Sequence, residues 1–126
     1  MKLLLDTHIY LWFLADSRKM HLSARELLDG AEAVFVSAAS IWESAIKASL
    51  GKLAVDVEAL VLGIKASGFE ALPVTAVHAA RVAQLPDHHR DPFDRLLIAQ
   101  AMHETMRLLT TDPMLARYSE LVITLE

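Results

Sequence analysis

Cysteine is absent from the 126-residue chain. That excludes disulfides, thiolate metal sites and cysteine nucleophiles, and gives no reason to expect an oxidising compartment. Glycine and proline occur four times each, too seldom for a low-complexity linker or a repeat built on turns. Aromatic residues make up only 6%. No uncharged apolar run approaches the roughly 20 residues of a membrane span. The opening MKLLLD begins like a secretory signal, but Asp6 interrupts it and Asp16, Arg18 and Lys19 follow, so a cytoplasmic protein is expected. An excess of positive charge is missing as well. Twelve basic residues face sixteen acidic ones, for a net charge of −4, so the chain has no global field that would attract nucleic acid. If four carboxylates form one metal cluster, the remainder is neutral and the whole net charge sits in one pocket. What the chain does have is apolar side chains, at 54%. That is enough to bury a core in a single domain spanning residues 1–126, and it hints at apolar surface covered by another chain.

Short apolar runs alternate with helical patterns. Residues 2–6, 33–37, 70–74 and 107–111 read as strands and 121–125 as a possible fifth, because such runs are too short for helices and the second is β-branched. Helices are expected over 7–15, capped by Thr7, from Ser23 to Gly30, over 38–50, and through Val57, Leu60, Val61 and Ile64, whose spacing marks an amphipathic face. Ser23 and Glu26 have the spacing of a capping box, with Leu22 and Leu27 as its staple. Further helices are expected over 75–85 and from Pro92 to about Thr105, with Asp91 as N-cap. The alternation predicts an α/β fold with a parallel sheet of four or five strands between helical layers.

Four acids fall at informative places. Asp6 ends the first strand, Glu43 lies early in the helix after the second, Asp94 in the first turn of the helix opened by Pro92, and Asp112 at the end of the fourth strand. In a parallel sheet these positions share one edge, where ligands bind. Two carboxylates 4 Å apart repel by about 4 kcal/mol at an effective dielectric near 20. A cluster of them therefore invites a raised pKa or a hard divalent cation such as Mg²⁺ or Mn²⁺. Each acid also has a plainer role. Asp6 can turn the chain, Glu43 can pair with Lys47 four residues on, and Asp91, Asp94 and Asp112 can cap helices. Lys47, Arg90 and Arg95 are candidates for phosphate contacts, though Glu43–Lys47 and Asp91–Arg95 have ion-pair spacing. The six histidines show no zinc-protease spacing. His88 and His89 are adjacent and His8 is near Asp6, but surface or packing roles are expected of all three. Gly51–Lys52 lacks the frame of a P-loop.

The segments LLLDTHIYLWFL, VSAASIWESAIKASLGKL, HHRDPFDRLLIAQA and LLTTD, in that order, resemble the PIN-domain ribonucleases, in particular the VapC-type toxins of bacterial toxin–antitoxin pairs. The resemblance covers nearly the whole chain. It implies a three-layer α/β/α sandwich and a Mg²⁺- or Mn²⁺-dependent endoribonuclease. It also implies an acidic quartet at Asp6, Glu43, Asp94 and Asp112 that holds the metal and acts on RNA. Its implied partners are RNA, a cognate antitoxin, a second copy in a homodimer, and a toxin–antitoxin hetero-oligomer. The antitoxin would insert a basic side chain into the acidic pocket. Two alternatives stand beside it. A phosphatase using Asp6 as nucleophile would want a second acid two residues on, where His8 stands. A non-catalytic module of the same fold would need a broken acid cluster, and none of the four acids is missing.

Overall fold

The computed structural model describes residues 1–125. The chain runs β1 (Lys2–Leu5), α1 (Thr7–Leu14), α2 (Leu22–Gly30), β2 (Ala33–Ser37), α3 (Ala38–Ser49), α4 (Val57–Ala66), β3 (Glu70–Leu72), α5 (Ala76–Arg81), α6 (Pro92–Glu104), β4 (Arg107–Thr110) and β5 (Val122–Thr124), with 3-10 turns at Val82–Gln84 and Pro113–Arg117. The five strands form one parallel sheet in the order β3-β2-β1-β4-β5. From β1 the chain builds outward to one side through β2 and β3, then returns to build the other side through β4 and β5. The order therefore reverses next to β1, and the carboxyl end of β1 is where a crevice opens in this topology.

The central strand explains the sandwich. Leu3, Leu4 and Leu5 are all fully buried, as a strand covered on both faces requires. Successive side chains point to opposite faces. Leu3 and Leu5 join Ile9, Tyr10, Leu28, Val36, Leu60 and Leu109 in the core under α1, α2 and α4. Leu4 joins Leu97, Ile98, Ala101, Leu108 and Leu115 in the core under α6. Fully burying one such leucine contributes roughly 1.5–3 kcal/mol. Beyond the last residue of β1 the ladder continues, because the Asp6 N–H donates to the Leu109 carbonyl at 2.9 Å. That bond ties the first candidate acid to β4.

Two expected caps are placed differently. Thr7 does not cap α1; Asp6 does, its carboxylate accepting the Thr7 N–H at 2.7 Å. The Ser23–Glu26 box does not open α2. The helix starts at Leu22, with His21 in the cap position and no side-chain cap, and the His21 carbonyl accepts the Ala24 and Arg25 N–H groups. Met20, only 4% exposed, anchors the preceding turn in the core, so tertiary packing sets the start earlier than the local pattern does. Leu22 is 72% exposed and staples nothing. The Asp91–Pro92 and Asp112–Pro113 caps are present as expected. A capping box absent from the sequence reading occurs at α5, between Thr75 and His78, and the buried His78 ring also holds Glu104 of α6 at 2.8 Å.

The contact between α1 and α4 is unusually close. A Cβ added at Gly63 would lie 2.9 Å from the Tyr10 hydroxyl and 3.2 Å from both Leu14 methyls. That hydroxyl donates to the Leu60 carbonyl, and its burial pushes its pKa up to about 12. Gly63→Ala would gain about 1 kcal/mol of helix propensity but force overpacking that costs about 1–3 kcal/mol. We expect a net fall in Tm of roughly 3–6 °C, at least halved in a Tyr10→Phe background. Thermal melts check this, and a higher Tm for Gly63→Ala would show that the α1–α4 gap has slack.

Candidate active site

Strand β1, buried on both faces, delivers Asp6 to the sheet edge, 5% exposed. One carboxylate oxygen accepts the Thr7 N–H and the other accepts the Thr110 hydroxyl at 2.6 Å. Those bonds favour the charged form, yet desolvation outweighs them and raises the Asp6 pKa, with Glu43 adding repulsion. The opposite influences come from Thr110, from His8 and from the Thr7 amide.

Helix α3 begins directly after β2, capped by Ser37, so its first turns overhang the same edge. Glu43, 6% exposed, accepts the Thr7 hydroxyl at 2.8 Å on one oxygen and the Lys47 ammonium at 2.8 Å on the other. Ser40 completes this chain at 2.8 Å from the Thr7 hydroxyl. The hydrogen bond to Glu43 is the main cause that raises the Lys47 pKa, and Asp91 and Asp94 act on it in the same direction.

Asp94 sits in the first turn of α6. Desolvation, then the charges of Asp6 and Asp91, push its pKa up to about 7; His89 opposes this and Glu43 adds to it. Asp6, Glu43 and Asp94 are thus brought close enough to repel one another. Asp112 reaches the group through two bridges. Its N–H donates to the Thr110 hydroxyl at 3.1 Å, and its carboxylate lies 3.0 Å from His89 Nε2, which is 3.5 Å from Asp94.

His89 is the residue that sequence reasoning misplaced. Its Nδ1 accepts the Asp91 N–H at 3.0 Å, so the neutral ring carries its proton on Nε2, between Asp94 and Asp112. In that tautomer Nε2 donates to carboxylates and has no lone pair to give a metal. Thr7, Ser40 and Thr110 were missed as well. The only sequence signals were a threonine after the strand-end acid and another two residues before Asp112. Arg95 is not free for phosphate. Its guanidinium donates to the carbonyls of Val82, Leu85, Pro86 and His89 and to the Tyr118 hydroxyl, which fixes the loop that carries His89. Asp91 is the α6 N-cap, accepting the Phe93 and Asp94 N–H groups. Arg90 is exposed.

The donor set suits a hard divalent cation. It consists of carboxylates and hydroxyls, the ligands preferred by Mg²⁺ and Mn²⁺ over softer metals. Burial first, and carboxylate repulsion after it, raises the Asp6 and Asp94 pKa values despite Thr110 and His89, and a cation would offset both costs.

A parallel sheet with buried acids at its switch point defines an α/β domain built to bind a charged ligand at its carboxyl edge. The family follows from comparison. Residues 3–121 match the PIN domain, and the chain belongs to that family. It is 30% identical over 111 residues to ribonuclease VapC22 of Mycobacterium tuberculosis, covering 86% of this chain and 85% of that protein. Among solved structures it resembles VapBC2 from Rickettsia felis bound to a DNA fragment from the promoter, with a TM-score of 0.73, 19% identity and coverage of 99% and 98% of the two chains. It also resembles a toxin–antitoxin complex from Klebsiella pneumoniae, with a TM-score of 0.66, 18% identity and coverage of 96% and 95%. These likenesses establish the expected sandwich with its parallel sheet, here of five strands. No helix among the described residues is long and apolar enough to cross a membrane.

The Asp94 proton makes metal-free stability depend on pH. The folded protein holds it to about pH 7, whereas an unfolded aspartate releases it near pH 4. The penalty is therefore absent below about pH 4, grows as pH rises, and is complete above 7. Asp94→Asn removes a cost of at most about 4 kcal/mol at pH 8, less whatever solvent screens at this half-buried group. Melts in EDTA should show the variant several degrees more stable at pH 8 and nearly unchanged at pH 4. Equal gains at both values would refute the assignment.

Proposed function

We propose that the chain is a Mg²⁺- or Mn²⁺-dependent endoribonuclease and the toxin of a toxin–antitoxin pair. The observation that carries this is the juxtaposition of buried Asp6 and Glu43 with half-buried Asp94, the pKa values of Asp6 and Asp94 being raised. The ribonuclease relative and the toxin–antitoxin neighbours support it. Asp6 and Asp94 would hold the ion, with Glu43 and Asp112 completing its surroundings or orienting the water. A bound divalent ion supplies a Lewis acid that makes water nucleophilic at neutral pH and neutralises charge on the phosphate. The Thr110 and Thr7 hydroxyls orient the Asp6 and Glu43 carboxylates, whose oxygens each accept one hydrogen bond and keep a further lone pair. His89 holds Asp112 through an N–H, and the Asp91 amide keeps that proton on Nε2. Water attack on phosphorus leaves 5′-phosphate and 3′-hydroxyl ends, so the RNA 2′-hydroxyl is not the nucleophile.

The antitoxin has a suitable place. A groove of about 460 Å³ lined by Leu11, Trp12, Leu53, Val55 and Leu60 also contains His8, whose charge acts on Asp6. We assign this groove to an apolar antitoxin segment ending in a basic side chain. That side chain would enter the acidic pocket and exclude the metal.

Purified protein should cleave total RNA with millimolar Mg²⁺ or Mn²⁺ and stop with EDTA. Asp6→Asn and Asp94→Asn should each lose at least about 100-fold in rate with the fold intact by circular dichroism. Mapped products should carry 5′-phosphates. Metal-independent cleavage, or full activity in both variants, would contradict the proposal.

A further inference from the structure

Trp42 and Phe93 are the residues immediately before Glu43 and Asp94 on the two helices that face the site. Their rings meet edge to face, with centroids 5.3 Å apart and planes at 71°. Glu43 and Asp94 repel each other at the acid cluster, so the aromatic pair spans α3 and α6 beside it. Phe93 is half-buried and braces the contact, whereas Trp42 is 62% exposed. An edge-to-face contact uses only part of each ring's surface. The rest of the Trp42 ring is open to solvent, one residue along α3 from Glu43.

The charge of the site favours such a surface, because of the three basic candidates beside it only Arg90 is exposed and, among the described residues, uncommitted. RNA ordinarily binds through basic side chains that release counterions from its phosphates. Here the pocket is acidic and the chain carries −4. Lys47 is committed to Glu43 and Arg95 to the loop. A neutral aromatic face attracts a nucleobase without needing positive charge, and every base has a π face to offer.

We infer that Trp42 is a stacking platform for a nucleobase of the RNA strand next to the scissile phosphate. Phe93 holds its ring in place. This rests on the ribonuclease reading above. A base can stack there only when it has left its own helical stack, so Trp42 makes the site favour unpaired nucleotides. It is a positioning residue, acting on where the strand lies rather than on the reacting atoms.

The test uses a short single-stranded oligoribonucleotide that the wild type cleaves. Trp42→Ala should raise KM about tenfold and leave kcat within about twofold. Trp42→Phe, which keeps a π face, should stay near the wild-type KM. Trp42→Leu, which keeps apolar bulk without a π face, should behave like Trp42→Ala. Wild-type KM in Trp42→Leu would instead assign the residue to an apolar contact with another protein surface, and wild-type KM in Trp42→Ala would remove it from RNA binding. Fluorescence gives a second readout independent of cleavage. In Trp12→Phe/Asp94→Asn protein Trp42 is the sole tryptophan, and adding the oligonucleotide should quench it. Cleavage by the wild type without quenching would sink the stacking role and leave the ribonuclease standing. Quenching in a protein whose wild type cleaves no RNA would do the reverse.

Discussion

The structure is organised around a repulsion. Three carboxylates, just after β1 and on α3 and α6, are gathered at one edge of the sheet, two of them buried and Asp94 half-buried. A single buried, unpaired carboxylate is already unfavourable, and neighbours of the same sign add to the cost. The molecule offsets part of it. Thr7 and Thr110 donate to Glu43 and Asp6, Lys47 pairs with Glu43, and His89 presents an N–H to Asp112 with Asp94 nearby. The remainder appears as protons held too tightly at Asp6 and Asp94. Proton and divalent cation are two ways of removing the same excess charge, and that competition links the fold to its chemistry.

Topology makes the repulsion unavoidable. Parallel strands send their carboxyl ends to one edge, and the helices that follow begin there. Placing β1 at the centre of a β3-β2-β1-β4-β5 sheet puts Asp6 where the two halves diverge. Burying Leu3, Leu4 and Leu5 fixes that strand from both faces, so Asp6 cannot retreat to solvent without disturbing both cores. The Asp6 N–H bond to Leu109 extends this restraint to the acid itself.

Much of this was legible in the chain, where the signals are local. An aspartate closing an apolar run, a proline after an aspartate and apolar residues at helical spacing each follow from backbone and burial physics within a few residues. The strand and helix sequence therefore predicted the sheet and the edge that gathers the acids. What was missed involves either long separation or competition. Thr110 meets Asp6 across 104 residues of sequence and Thr7 meets Glu43 across 36, and no local pattern encodes such partners. His89 looked like one half of a surface dipeptide until the Asp91 amide and Asp112 fixed both ring nitrogens. The Ser23 cap failed because a capping pattern fits several registers and the burial of Met20 selected another.

The competition between proton and metal gives the most direct measurement. Titration calorimetry of the wild type with Mn²⁺, repeated in buffers of different ionisation enthalpy, counts the protons released per ion bound. With Asp94 titrating at about 7, ion binding at pH 6.5 should release more than half a proton, and at pH 8.5 close to none. Binding that releases no proton at either pH, or no binding at all, would mean that the gathered carboxylates are not a metal site.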